Sequence, residues 1–357
     1  MELFHANKQW STRPDDEKFG SVAELLKATQ DYAATAAEAD VQWGDLRTEA
    51  INGDVRLTGK TNQPAMLTHW SFDQLAKRVG APAEYLRRLP ATLAVQNLNH
   101  GLAERETNPH GPAQLLVHQN GDLLVRAVTS DRYARIWNYE VAERLVGLEA
   151  YGWVPATPDI RATKENDTAL YASDHDMFAF LRNPNLTIEE AGSKGAMYRG
   201  VIVENSEVGA AALKLTRFLY REMCGNHIIW GASEVVDFSI RHVGEIREKM
   251  RRWEVILTEY ANEGTGKDEA QIVAAQRAMI ADTKEGVLDK LFGIKGLKLT
   301  RKQLDASYDA VDVDQDGDPR TAWGFAQGVT RYSQTLPYAD KRNDLDRAAG
   351  RVLKIAF

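Results

Sequence analysis

Four short runs in this 357-residue sequence hold residue types that could coordinate a cation, cradle a phosphate or activate a nucleophile. Asp174-His175-Asp176 offers hard and borderline metal ligands. Adjacent residues rarely converge on one ion, however, and no second cluster lies nearby in sequence. Asp312-Val313-Asp314-Gln315-Asp316-Gly317-Asp318 begins like a calcium loop, but its twelfth position is Trp323, where the bidentate Glu belongs. Gly264-Thr265-Gly266-Lys267 ends like a phosphate loop. It lacks the earlier glycine, at Ala261, and Asp268 replaces the metal-binding hydroxyl. Cys224 has His227, Arg217 and Arg221 close in sequence, the surroundings a nucleophilic thiolate requires. A small buried residue at a tight turn is the simpler expectation for a lone cysteine. No G-x-G-x-x-G, H-E-x-x-H, G-x-S-x-G or paired C-x-x-C occurs. The sequence therefore assigns no catalytic residue, no metal site and no cofactor.

Cation-rich, aromatic-bearing segments point elsewhere. Arg126, Arg132, Tyr133, Arg135 and Trp137 form one; Lys214, Arg217, Tyr220 and Arg221 a second; Arg241, His242, Arg247, Lys249, Arg251, Arg252 and Trp253 a third. Single-strand binders combine such a basic groove with aromatic stacking platforms. The expected nucleic-acid face is Arg126, Arg132, Tyr133, Arg135, Lys214, Arg217, Arg221, Arg241, His242, Arg247, Arg251 and Arg252. Carboxylates are interspersed (Asp131, Glu140, Glu222, Glu245, Glu248 and Glu254), so each segment also reads as a solvated surface. The net charge of −7 excludes a simple basic DNA-coating protein, though not a local basic face.

The elements that must position these residues are legible in outline. Asn52-Gly53 and Asn120-Gly121 each separate two strand-like runs, over 46–58 and 114–128, as two-residue hairpin turns do. Between them, residues 71–90 outline a helix–turn–helix, with Ser71 as N-cap, Gly80 as stop, Pro82 opening a second helix and Pro90 closing it. A helix that short suits a packed helical hairpin better than a major-groove reader. Residues 136–150 read as a helix and 168–241 as strand-rich. Ile246, Met250, Trp253, Leu257 and Tyr260 follow helical 4-3-4-3 spacing. Helices follow near 268–281 and 283–292, with two more from Thr321 to Phe357. The fold class is α+β: a hairpin-rich antiparallel sheet packed against long helices, with a helical C-terminal region. The expected organisation is an acidic N-terminal arm (1–45), an α+β core (46–262) and a helical region (263–357). The single cysteine, the lack of a signal-peptide pattern and the absence of any apolar run near 20 residues point to the cytoplasm of a bacterial host, with no membrane partner.

Three ordered patterns carry a resemblance. Val128-Thr129-Ser130-Asp131-Arg132-Tyr133 leads to Ile136 and Asn138. Arg221-Glu222-Met223-Cys224-Gly225-Asn226 is followed by Ile240-Arg241-His242-Val243-Gly244. Thr321-Ala322-Trp323-Gly324 precedes Gly328-Val329-Thr330 and Gly350. Together these resemble the phage/plasmid-like family known as domain of unknown function 932, over residues 40–355. His227 departs from the glycine usual in that family's turn. The resemblance implies carriage by mobile elements and supplies no reaction. The expectation is a single-stranded DNA binding or annealing protein of replication or recombination, with a homo-oligomer as one arrangement. The alternative is a non-catalytic interaction or counter-defence factor for a host protein. Its support is the acidic N-terminal stretch of Asp15, Asp16, Glu17, Glu24, Asp31, Glu38, Asp40 and Asp45.

Overall fold

The computed structural model describes residues 15–59, 63–106, 111–156, 169–188, 197–221, 226–228, 238–336 and 339–355. Its first half runs β1 (Lys18–Phe19), α1 (Val22–Ala34), β2 (Ala36–Val41), β3 (Leu46–Ile51), β4 (Asp54–Gly59), β5 (Ala65–Leu67), α2 (His69–Arg78), α3 (Ala83–Leu86), α4 (Ala91–Glu106), β6 (Ala113–Asn120) and β7 (Asp122–Ser130). One six-stranded sheet has the order β2-β6-β7-β5-β4-β3, antiparallel except for β5 beside β7.

Both hairpins form as the turn residues dictate. Asn52 (φ 54°) and Gly53 (φ 84°) supply the paired positive φ values, and Gly121 (φ 85°) turns the second hairpin. The helical hairpin differs in detail. Thr68, not Ser71, caps α2, its Oγ1 accepting the Ser71 N–H; Ser71 is fully buried and its hydroxyl donates to the Val125 carbonyl at 2.7 Å. Helix α3 is one turn long. Pro90 does not merely end it: its carbonyl accepts the N–H groups of Leu93 and Ala94 and so starts α4. Helix α4 carries no sequence expectation; its buried apolar side chains among the described residues are Ala94, Leu98 and Leu102. This helix covers the outer strand β3. The Asn99 side chain accepts the Thr48 N–H (2.8 Å) and donates to the Thr48 carbonyl (2.9 Å), closing a sheet edge that would otherwise expose both groups.

The chain continues through α5 (Asn138–Glu149), β8 (Val154–Pro155), β9 (Leu170–Ala172), β10 (Met177–Ile188), β11 (Met197–Asn205), β12 (Leu213–Arg221), β13 (Asn226–Ile228), β14 (Phe238–Ile240) and α6 (Ile246–Asn262). These strands and β1 form an eight-stranded antiparallel sheet ordered β1-β9-β10-β11-β12-β13, with β8 beside β10 and β14 beside β12. Helices α1, α5 and α6 cover one face. Val22, Leu25, Val141 and Leu145 meet Val201, Leu215, Trp253 and Leu257 in a common core. The 4-3-4-3 stripe of α6 is the buried one, from Met250 to Tyr260. The acidic residues 18–41 are built into both sheets: β1 pairs with β9 and β2 with β6.

From Gly266 onward every element is a helix: α7 (Gly266–Arg277), α8 (Lys284–Phe292), α9 (Arg301–Asp309), α10 (Val313–Asp316), α11 (Ala322–Gln334) and α12 (Ala339–Val352). Sequence reading lacked α9 and α10. Helices α7, α8, α9, α11 and α12 pack a separate core around Trp323, Phe325 and Val329, joined by Ile188 of β10, Met197 of β11 and Leu219 of β12. Helix α11 is buried along most of its length. Gly324 and Gly328 give it that depth, since a Cβ at either would overlap the backbone carbonyl of Asp318 or Ser307. Among the described residues no helix is long and apolar enough to cross a membrane.

Candidate nucleic-acid interface

The sequence-expected cations separate into buried and exposed sets. Arg126 lies on β7 in the run Leu124-Val125-Arg126-Ala127-Val128, where apolar neighbours mark a strand buried on both faces. Its Nη1 stands 2.9 Å from Glu207 Oε2 and 3.0 Å from His118 Nε2. Its Nε and Nη2 donate to the Asp174 carbonyl at 3.2 and 2.7 Å, and the guanidinium covers the Tyr32 ring at 4.3 Å. The other Glu207 oxygen accepts the Asn138 N–H at 2.8 Å. Arg135 donates from Nε to Glu38 Oε1 (2.6 Å) and from Nη1 to the Glu207 carbonyl. Tyr133 Oη lies 3.0 Å from His242 Nδ1 and donates to the Ser206 carbonyl, with the two rings stacked. Arg126, Arg135, Tyr133 and His242, expected to face nucleic acid, instead bind the two sheets together. The cause is the turn after β11, which inserts Glu207 between the sheets and draws the guanidinium groups inward. Burial, reinforced by the nearby guanidinium charges, lowers His118 to about 4; burial and Arg135 do the same to His242. Both imidazoles are therefore neutral at pH 7.

A second buried cluster removes Arg217 from the expected face. Its guanidinium lies over the Tyr260 ring at 3.9 Å, and Nη1 is 3.9 Å from Glu263 Oε2. Beside it, Arg199, which sequence reading did not single out, donates from Nε to Asp268 Oδ2 at 2.9 Å and from Nη2 to the Gly264 carbonyl at 3.0 Å. The Gly264–Lys267 turn thus presents carbonyl oxygens to a guanidinium, the reverse of a phosphate cradle. Desolvation raises the Asp268 carboxyl, with Arg199 opposing that shift. The signal that could have found Arg199 is a lone cation at the head of the apolar run Gly200-Val201-Ile202-Val203. Lys214 is half-buried and pairs with Glu204 at 3.2 Å.

The remaining cations are exposed, and one contact brings them together. Tyr133 and Val243 form an isolated antiparallel bridge, with the Ala134 N–H donating to the His242 carbonyl at 2.8 Å. Arg132 is thereby placed beside the Arg241–Gly244 turn that leads into α6. Arg132, Arg241, Arg247, Arg251 and Arg252 are all exposed. Lys249 Nζ donates to the Val243 carbonyl at 2.6 Å, and Arg251 pairs with Glu248. Asp131, Glu245 and Glu248 are the carboxylates among these residues, which leaves the patch cationic. Cys224 and the side chains of Tyr220, Arg221 and His227 lie outside the described residues.

The remaining motifs turn out to be internal. Asp312 caps α10 through the Asp314 N–H. Asp316, 1 % exposed, accepts the Asp312 N–H (3.0 Å) and the Arg331 Nε (2.9 Å), while Arg320 pairs with Asp318. The loop of Asp174-His175-Asp176 offers its carbonyls to Arg126 and to Ser206 Oγ. Among the described residues no three His, Cys, Asp or Glu side chains are grouped to hold a metal.

The family model for a domain of unknown function, DUF932, matches residues 125–349, and the chain belongs to that family. The match runs from β7 into α12 and contains both buried arginine clusters except for their partners on the first six strands and α1. No curated protein and no solved structure matches the chain.

Proposed function

We propose that this DUF932 protein binds nucleic acid through phosphate contacts at Arg132, Arg241, Arg247, Arg251 and Arg252, in the service of a phage or plasmid element. The observation that carries the reading is the Tyr133–Val243 bridge, which joins Arg132 to the exposed cations at the start of α6. Tyr133 and Trp253, expected as stacking platforms, pack inward. The contacts are therefore with the backbone, and such contacts position a strand without reading its sequence. A lone surface ion pair such as Arg251–Glu248 holds its arginine weakly, so phosphate competes for it readily.

Fluorescence anisotropy with a labelled oligonucleotide of about 40 nucleotides, single-stranded and as a duplex, tests the reading at low salt. Saturable binding, weakened to a similar degree across unrelated sequences by Arg247→Ala with Arg251→Ala, supports it. Anisotropy that stays flat up to high protein concentration removes it. A second reading, docking of a basic host protein, draws on β2, the end strand of its sheet. Its residues Ala37, Glu38, Ala39 and Asp40 are consecutively exposed. One host protein co-purifying at fixed stoichiometry, with no oligonucleotide binding, favours that reading.

A further inference from the structure

Residues 290–304 hold five cations, Lys290, Lys295, Lys298, Arg301 and Lys302, and no carboxylate. They span the end of α8, the loop to α9 and the first turn of α9. Leu291, Leu297 and Leu299 are buried in the core of the helical region and fix the loop at both ends. Arg301 bonds Asp289 (Nη1 to Oδ1, 2.5 Å) and Glu285, which holds the start of α9 against α8. Lys290 Nζ donates to the Ile280 carbonyl at 3.0 Å. Lys295, Lys298 and Lys302 are exposed and make no ion pair among the described residues. Phe292, at the head of the loop, is 59 % exposed, more than any other aromatic side chain among the described residues.

Three local features of this segment oppose stability. Lys298 has φ 58°, a left-handed conformation rare for a residue with a side chain. Arg301 and Lys302 open α9 as cations, at the helix end whose dipole favours anions. Phe292 faces water while its neighbour Leu291 is buried. One exposed ring alone is ordinary. Local rules broken together in one short segment mark a functional surface. Single-stranded nucleic acid complements that surface with one molecule: phosphates meet the unpaired lysines, and an unstacked base meets the ring. A duplex keeps its base faces stacked on one another. A lipid surface calls for a broader apolar face, and the leucines that could widen this one are buried.

We infer that the α8–α9 loop binds single-stranded nucleic acid, a base stacked on Phe292 and the flanking phosphates on Lys295, Lys298 and Lys302. The site shares a ligand class with the surface proposed above and none of its residues.

Fluorescence anisotropy of the full chain at low salt, with labelled oligothymidylate of about 20 nucleotides, tests the inference. A hairpin duplex and an abasic strand of similar length are the controls, and vesicles of phosphatidylcholine with phosphatidylserine the competing surface. Phe292→Ala should weaken oligothymidylate about fivefold or more and leave the duplex and the abasic strand within about twofold of the parent. Lys295→Gln with Lys298→Gln should weaken oligothymidylate and the abasic strand alike and lower the salt slope by about 1 to 2. The urea midpoint confirms that each variant is folded. Phe292→Leu, apolar without a ring face, replaces Phe292→Ala if that variant fails to fold. Oligothymidylate affinity unchanged in the Phe292 variant overturns the proposal, as does an equal loss for the abasic strand. Vesicle binding that Phe292→Ala abolishes, with no effect on oligothymidylate, assigns a lipid surface and overturns it as well. Arg247→Ala with Arg251→Ala separates the two sites. Oligothymidylate affinity that falls in that variant alone keeps the function proposed above and removes this site; affinity that falls in Phe292→Ala alone keeps this site and removes the other.

Discussion

Arg126 and Glu207 meet where the two sheets join, Nη1 2.9 Å from Oε2, both side chains at most 2 % exposed. Neither residue has a water-facing alternative, so each compensates the burial of the other. Removing one partner leaves a charge buried and unpaired. Arg126→Ala is expected to cost about 3–5 kcal/mol, well above the cost of breaking an exposed pair. Arg251→Ala, which breaks the exposed Glu248 pair, should shift the urea midpoint hardly at all. Comparable midpoints for the two variants would contradict the structural role given to Arg126.

The same junction carries a pH dependence. His118 and His242 titrate near 4 in the folded chain, against about 6.5 when unfolded. Between those values the unfolded chain takes up protons that the native state refuses. Stability is therefore complete above about pH 6.5 and is lost as pH falls, levelling off below about pH 4, by up to roughly 3 kcal/mol per imidazole. Urea midpoints between pH 7 and pH 4 should slope downward, and His118→Gln should flatten part of that slope. An unchanged slope in the variant would place the titration elsewhere.

Glycine substitutions separate close approach from mere flexibility. A Cβ on Gly328 would overlap the Ser307 carbonyl where α11 crosses α9, and backbone on both sides resists the shift. Gly328→Ala should destabilise by several kcal/mol, in the range of severe overpacking, or prevent folding. Gly264 has open space around its would-be Cβ, so Gly264→Ala should lie within about 0.5 kcal/mol of the parent. Thermal unfolding of the two variants checks the contrast.

Local chemistry was legible where one residue decides the geometry. The Asn-Gly turns, the stripe of α6 and the apolar strands of the second sheet emerge as the sequence suggests, since φ preference and periodicity act locally. Helix α4, sixteen residues long, was not legible, because three small or medium apolar residues among Asn, His and Gly give little period. The cationic segments were half legible. Composition identified Arg126 and Arg135 as cationic, but whether their guanidinium groups face water or Glu207 depends on a turn some seventy to eighty residues away in sequence. Their apolar neighbours were the available warning. The glycines of the Trp323-Gly324 and Gly328 pattern, read only as a family mark, prove to be sites of close backbone approach, Gly324 against the Asp318 loop and Gly328 against α9.

The salt dependence of oligonucleotide affinity tests the proposed function most directly. Phosphate contacts release counterions, so log Kd should rise steeply with log salt. Arg132→Ala with Arg247→Ala should reduce that slope by about 2 while leaving the urea midpoint unchanged. A slope identical in parent and variant, or no binding at low salt, would contradict the assignment of this exposed patch.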